Sequence, residues 1–385
     1  MIPYGRQDIT QEDIDAVVAV LRSDYLTQGP KVPEFESSVA QYCEASYAVA
    51  VNSATSALHI ACLALGVGRG DYVWTSPISF VASANCALYC GAKIDFIDID
   101  PQTYNLSVDE LKKKLVLAAA TNCLPKVLIP VHLCGQSAQM KEIHALAKEY
   151  GFKIIEDASH AIGGQYLGKP IGSCQFSDIT IFSFHPVKII TTAEGGMATT
   201  NSSLLAEKMS LLRSHGITKD SLKMTKKSEG EWYYQQIDLG FNYRMTELQA
   251  ALGLSQLNRL NRYVVRRHEL AARYNDLLST LPILLPHQDI ACHSSYHLYP
   301  IRLDFDQTQA THQEVFNFLR EKQIGVNLHY IPIHLQPFYE KFGFKPGQYP
   351  EAEKYYQSAI TLPLYPGLTG TDQQFITNCL REVLC

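Results

Sequence analysis

The chain has 385 residues. At about 150 residues per domain it holds two domains or one large one, and a chain of this size buries roughly three quarters of its unfolded surface without disulfides or metals. Apolar residues make up 46% and charged ones 18%, which excludes disordered, collagen-like and coiled-coil chains. With 33 basic against 38 acidic side chains the net charge is −5, which lacks the basic field that generic nucleic-acid binding needs but leaves room for a local phosphate site.

In chain order, a helix is predicted after Thr10, a plausible N-cap with Asp13 three residues on; Ile14, Val17, Val18 and Leu21 keep helical spacing. Leu26–Pro30 reads as loop. Strands and helices then alternate. Strands are predicted at 47–51, 72–75, 94–99, 127–131, 153–155 and 179–184, with helices from about 54, over 82–89 and over 140–150. Apolar strands separated by helices indicate a mostly parallel sheet covered on both faces. Residues 218–236 are polar and carry Trp232; they read as a long surface loop. A long helical pattern from Thr246 (Leu248, Leu252, Leu257, Leu260, Val264, Leu270) is placed to link two domains, a large one over 1–245 and a smaller one over 246–385. In the smaller, 299–303, 314–322 and 325–328 read as short strands and helices. Ten cysteines, Cys385 included, are scattered without a CxxC pair and read as small apolar residues of a reduced, cytosolic chain. Cys86 and Cys90 share a helix face, but two thiols four apart are a weak metal signal, and no metal is expected. The first ten residues show no signal pattern and no stretch approaches the ~18 consecutive apolar residues of a membrane span. A cytoplasmic protein without a membrane partner is expected.

Three features carry chemistry. Asp157 ends a predicted strand, where ligands of open α/β sheets bind; a carboxylate there could hold a metal, act as a base or face a cationic ring nitrogen, and a turn aspartate would look the same. Lys188 follows the strand ending at Phe184, among apolar residues that disfavour the ammonium and suit a Schiff-base nucleophile, although a snorkelling surface lysine has the same pattern. Asn52-Ser53-Ala54-Thr55-Ser56 opens a helix with hydroxyls and free N–H groups, which makes an anion site or an ordinary N-cap. Together with Ser183, a strand-end carboxylate, a later lysine and an earlier anion turn are the parts needed to hold pyridoxal 5′-phosphate.

Five segments carry a resemblance that runs nearly end to end: Asn52 to Leu58, Thr75 to Val81, Glu156-Asp157-Ala158-Ser159-His160-Ala161, Phe182 to Gly196, and Gly240-Phe241-Asn242-Tyr243-Arg244-Met245-Thr246-Glu247-Leu248-Gln249. The sequence resembles the DegT/StrS-type sugar-nucleotide aminotransferases, on the fold-type-I scaffold. That resemblance implies an α/β fold with a mostly parallel seven-stranded sheet flanked by helices and a smaller C-terminal α/β domain. It implies pyridoxal 5′-phosphate bound covalently by Lys188, with Asp157 on the pyridinium nitrogen and Phe80 stacked on the ring. Ala54, Thr55 and Ser183 would bind the phosphate. His160, where many relatives carry Gln, would bond the ring hydroxyl, and Ala54 stands where glycine is common. Asn242 of a neighbouring subunit would complete the phosphate site, which implies a homodimer with shared active sites. His329 and Tyr330 would lie over the sugar, or form a packed pair near a domain interface; Arg244 and Lys31 would neutralise a nucleotide diphosphate.

Asn52 to Ser56, Ser159-His160, Arg213-Ser214-His215-Gly216 and His329-Tyr330 favour the pseudaminic acid subfamily, which moves the amino group of L-glutamate to C4 of a UDP-4-keto-6-deoxy-N-acetylhexosamine. Other 4-keto-6-deoxy sugar nucleotides of the bacillosamine, perosamine or 4-amino-arabinose type remain alternatives. Lys188 disfavours a sugar 3-dehydratase, in which histidine replaces the lysine. Lys188, Asp157 and Ser183 together speak against a non-catalytic sugar-nucleotide binder.

Overall fold

The computed structural model of the protein describes Met1–Leu384, so the expectation for Cys385 lies outside the described residues. Seven strands form the central sheet: β1 (Tyr47–Val51), β2 (Tyr72–Thr75), β3 (Lys93–Phe96), β4 (Val127–Ile129), β5 (Lys153–Asp157), β6 (Ile179–Ser183) and β7 (Gly196–Thr200), in the order β1-β7-β6-β5-β4-β2-β3. The β2–β3, β2–β4, β4–β5 and β5–β6 pairs are parallel, whereas β7 runs antiparallel to both β6 and β1. Six strands therefore point one way and their carboxyl ends share an edge. Every residue of β4, β6 and β7 is buried, as a sheet covered on both faces requires.

The ends of two strands differ from expectation for local reasons. β4 stops at Ile129 because Pro130 has no N–H to give the ladder. β3 stops at Phe96, and beyond it the Asp98 carboxylate accepts the N–H groups of Ile99, Glu351 and Ala352, which turns the chain off the sheet. β7 was not expected: its Gly-Met-Ala-Thr-Thr sequence follows a glycine turn and carries little apolar signal.

Helices α1 (Gln11–Leu21), α2 (Lys31–Cys43), α3 (Ala54–Ala64), α4 (Ala82–Tyr89), α5 (Val108–Thr121), α6 (Met140–Tyr150) and α7 (Ser203–Leu212) surround the sheet. The capping box that opens α1 forms, with the Thr10 N–H donating to Asp13 Oδ2 at 2.9 Å. α2 adds a helix where the sequence reading placed none, and buries Val32, Phe35, Val39 and Cys43 on one face. The long pattern from Thr246 is two helices, α8 (Glu247–Leu257) and α9 (Leu260–Leu278). The break has a packing cause. α8 lies on α1 and α2, whereas the later turns of α9 bury Leu270, Tyr274 and Leu278 in a second core, and one straight rod cannot serve both. Asp13 holds the bend, accepting from Gln256 Nε2 at 2.8 Å and pairing with Arg259.

That second core lies between α9, α10 (His312–Glu321), α12 (Gly370–Leu384) and an antiparallel sheet of β8 (Ile283–Leu284), β9 (Tyr299–Leu303) and β10 (Ala359–Leu362); α11 (Pro350–Ser358) leads into β10. Residues 325–328 form no strand: Asn327 makes an isolated bridge to Thr361, and the preceding Ile324 one to Ile2. The 218–236 segment is largely exposed, with Ile217–Thr218 and Gln235–Gln236 paired at its base. Among the described residues, no helix is long and apolar enough to cross a membrane.

Gly253 sits in α8 where it meets α2. A Cβ there would stand 2.6 Å from Phe35 Cζ and 2.8 Å from Thr192 Cγ2. Gly253→Ala gains about 1 kcal/mol of helix propensity but overpacks a buried contact at about 1–3 kcal/mol. We expect a net loss of about 1–2 kcal/mol, read as a lower urea midpoint at unchanged slope.

Candidate active site

The carboxyl edge of the sheet gathers the chemistry. β1 leads into the Asn52-Ser53 turn, β2 into Ser76 to Phe80, β5 ends on Asp157 and β6 on Ser183. The Asp157 side chain is buried and compensated by hydrogen bonds. Oδ2 accepts from Ser83 Oγ at 2.5 Å; Oδ1 accepts from Ser159 Oγ at 2.6 Å and from the Ser159 N–H at 3.1 Å. Ser83 Oγ also lies 2.7 Å from Ser79 Oγ. The sequence reading assigned neither serine. Ser83 is one turn beyond Phe80, and nothing in its surroundings along the chain marks it.

Lys188 lies on the connection between β6 and β7, which is anchored at both ends. Ser183 pairs with Gly196, the Phe184 N–H donates to the Gly195 carbonyl at 3.0 Å, and the Phe184 carbonyl accepts from the Thr192 N–H at 3.0 Å and from Thr191 Oγ1 at 2.9 Å. The Lys188 N–H closes a turn on the His185 carbonyl at 2.9 Å, and Ile189 and Ile190 are buried. Burial pushes the Lys188 ammonium down to about 8, against the opposing pull of the Asp157 charge. The neutral amine that a nucleophile needs is therefore easier to form than on an exposed lysine.

The turn before α3 is built around its serines. Ser53 Oγ accepts the Ser56 N–H at 3.1 Å, and Ser56 Oγ donates to Asn52 Oδ1 at 2.7 Å. Among the described residues, the N–H groups of Ala54 and Thr55 have no backbone acceptor and stand at the positive end of the helix dipole. Gly196 lets β7 approach this turn: a Cβ there would lie 2.6 Å from Ala54 N and from Ser53 C and O, so only glycine fits. Ser183, opposite Gly196, is buried at the same corner.

An aromatic group faces this floor. Phe80 is 60% exposed, its ring centroid 6.3 Å from that of Tyr330. Tyr330 Oη lies 3.0 Å from His160 Nε2. The Cys134 N–H donates to His160 Nδ1 at 3.3 Å, which assigns the ring hydrogen to Nε2 and makes His160 the donor to Tyr330. The Tyr330 hydroxyl hydrogen is then free to point elsewhere. Burial first, and the charges of Lys188 and His329 next, hold the His160 imidazolium well below its ordinary range. His329 is packed behind Tyr330: its Nδ1 lies 2.9 Å from Thr361 Oγ1 and its ring 5.3 Å from Tyr4. Burial and the Lys188 charge push its pKa down to about 3.

A third histidine, which the sequence reading did not single out, completes the group. His297 is buried with its ring 4.5 Å from His160, and its Nδ1 has no partner among the described residues. It lies inside the apolar run entering β9, where a histidine reads as core. Beneath it, buried Arg267 donates to the carbonyls of Tyr296, His297 and Leu364.

Three expected residues lie further out. Asn242 is exposed, and the adjacent Tyr243 carbonyl accepts the Asn52 N–H at 2.9 Å, so its segment touches the anion turn. Arg244 has a buried Nε without a partner among the described residues. Lys31, in the first turn of α2, pairs with Glu34 at 2.7 Å, while its N–H donates to Glu247. No group of three His, Cys, Asp or Glu side chains suited to a metal occurs among the described residues.

The donor set suits a phosphate monoester at the α3 turn; Asp157 would hold a cationic ring nitrogen and Lys188 would meet an electrophilic carbon of the same group. In the cofactor-free chain, the rate at which an amine-acylating reagent labels Lys188 should rise through about pH 8 and level off above it. Peptide mapping over a pH series measures this; a midpoint at the ordinary lysine value would show that burial does not destabilise the ammonium.

Comparison with known proteins gives the family. The sequence model of the DegT/DnrJ/EryC1/StrS aminotransferase family matches residues 7–381. The chain is 39% identical to the UDP-4-amino-4,6-dideoxy-N-acetyl-beta-L-altrosamine transaminase of Campylobacter jejuni, over 100% of this chain and 98% of that protein. It is also 39% identical to the spore coat polysaccharide biosynthesis protein SpsC of Bacillus subtilis, over 100% of this chain and 97% of that one. Among solved structures, Helicobacter pylori PseC, an aminotransferase involved in pseudaminic acid biosynthesis, superposes with a TM-score of 0.90 at 32% identity, covering 100% of this chain and 99% of that one. The PLP-form of the putative sugar aminotransferase Spr1654 from Streptococcus pneumoniae gives 0.88 at 30%, covering 100% of both chains. Full-length matches at this identity, on a seven-stranded sheet whose carboxyl edge holds the expected lysine and aspartate, establish that the chain belongs to the DegT/DnrJ/EryC1/StrS family of sugar aminotransferases.

Proposed function

We propose that the chain is a pyridoxal 5′-phosphate-dependent aminotransferase that moves the amino group of L-glutamate to C4 of a UDP-4-keto-6-deoxy-N-acetylhexosamine, a reading that the likeness to the altrosamine transaminases supports. The observation that carries the reading is a lysine on the closed connection after β6, facing the charge of a carboxylate fixed by two serines, at the carboxyl edge of a mostly parallel sheet.

When bound, the cofactor supplies a protonated ring that accepts an electron pair from the substrate carbon. The residues around it divide the remaining work. Asp157, its oxygens oriented by Ser83 and Ser159, faces the ring nitrogen and favours its protonated form. Ala54 and Thr55 give N–H groups, and Ser183 a hydroxyl, to the phosphate. Phe80 covers one ring face. His160 holds the Tyr330 oxygen, which leaves the Tyr330 hydrogen to meet the ring hydroxyl or the sugar. Lys188, released as a neutral amine, takes the proton from the Cα of glutamate and in the second half-reaction delivers one to sugar C4. His329 backs Tyr330 near the sugar, and Arg244 and Lys31 offer positive charge to the nucleotide diphosphate.

The working unit in this reading is a cytoplasmic homodimer. Asn242 is exposed beside the anion turn and is free to complete the phosphate site of a second copy, and Phe80 is exposed at the same edge. The equal identity to SpsC favours a second reading, another 4-keto sugar nucleotide with the same chemistry.

Incubation with L-glutamate and each of several 4-keto-6-deoxy sugar nucleotides, with 2-oxoglutarate assay and product NMR, tests both readings. We expect turnover with the UDP-N-acetyl sugar; turnover confined to another sugar would select the second reading, and none with any would overturn both. Lys188→Ala should abolish turnover, and Asp157→Asn should lower it by at least about a hundredfold with unchanged circular dichroism. Turnover like wild type in Lys188→Ala would remove the proton carrier from the mechanism.

A further inference from the structure

Away from the carboxyl edge, three thiols meet where α3 packs on α4. Cys62 lies in the penultimate turn of α3, Cys86 and Cys90 one turn apart at the end of α4, and all three belong to one packed cluster. The Cys62 thiol is within hydrogen-bonding reach of both others. The three differ in how they are held. Cys62 and Cys86 are fully buried, and Cys86 Sγ is tied to the Ser83 carbonyl at 3.3 Å. Cys90 is partly exposed, caps the helix just before Gly91 at φ +75°, and has only the His59 carbonyl at 4.0 Å besides Cys62. A frayed last turn exposes Cys90 before either neighbour.

We propose that Cys90 and Cys62 form a peroxide-responsive thiol pair, in which Cys90 is the attacking sulfur and Cys62 the resolving one. The Cys90 thiolate attacks a hydroperoxide: an S–O bond forms, the O–O bond breaks, and the leaving oxygen departs as hydroxide or alkoxide and takes up a proton. Cys62 sulfur then attacks Cys90 sulfur. An S–S bond forms, the S–O bond breaks, and the oxygen leaves as water with the Cys62 proton. Two thiols lose two electrons, and the peroxide takes them. The hydrogen bond from Cys62 pulls the Cys90 thiol below its ordinary value, with His59 adding to the effect, so thiolate is available at neutral pH.

The position gives the bond a reach beyond the two sulfurs. The first turn of α3 carries Ala54 and Thr55, and the first turn of α4 carries Ser83, which donates to Asp157. A link at the far ends of both helices ties together the two elements that carry these groups.

The test uses the folded full-length protein, treated with a small molar excess of hydrogen peroxide, quenched with N-ethylmaleimide and mapped without reduction. A Cys62–Cys90 peptide two hydrogens lighter, restored by dithiothreitol, is expected. Cys62→Ser, or Cys62→Ala if the serine variant does not fold, should stop at a sulfenic acid on Cys90 that dimedone traps. Cys90→Ser should give no link at the same dose. Alkylation of Cys90 no faster than that of fully buried Cys43, a link only after unfolding, or a Cys62–Cys86 link would overturn the proposal.

Discussion

A buried carboxylate is costly unless hydrogen bonds replace the water it loses, and here three donors do so. Ser83 and Ser159 aim their hydroxyls, and Ser159 its N–H, at Asp157. These bonds join β5 to the first turn of α4 and so fix the register between sheet edge and helix layer. The same helix start carries Phe80. Losing either serine would leave a charged group short of partners and would also loosen the aromatic wall opposite it.

Electrostatics within the site consistently disfavours protonated bases. Lys188, His160, His297 and His329 are all pushed down by burial, and each imidazole is pushed further by the neighbouring ammonium. Arg267 adds a positive charge below His297. The site thus presents neutral imidazoles beside an ammonium that burial makes easier to deprotonate, with the Asp157 carboxylate opposing that loss. This division suits chemistry in which one group accepts protons while another stabilises a cationic ring.

Much of this was legible in the sequence because it sits where strands end. Asp157, Ser183 and the Asn52-Ser53 turn follow apolar runs whose lengths mark buried strands, and Lys188 stands among apolar neighbours. The seven-stranded sheet was expected, although β7 was hidden because alanine and threonine carry weak apolar signal beside two glycines. The α8–α9 break was hidden for the opposite reason. The leucine pattern continues across it, and only the tertiary demand of two separate cores, with Asp13 reaching across from α1, bends the chain. Ser83 and His297 were illegible because their roles depend on partners 74 and 137 positions away, Asp157 and His160, that no local pattern reveals.

The odd strand of the sheet decides how Lys188 can move. Because β7 returns antiparallel to β6, the lysine rides a short strap stitched shut at its base rather than a helix or an open loop. Its backbone has nowhere to go, so the travel available to the amine is set by four side-chain torsions. A tethered arm of that kind sweeps a small arc, and in the proposed reaction both proton transfers fall within it. Substrate identity is then a matter of which carbons can be brought under the arc, a task left to the walls of the site.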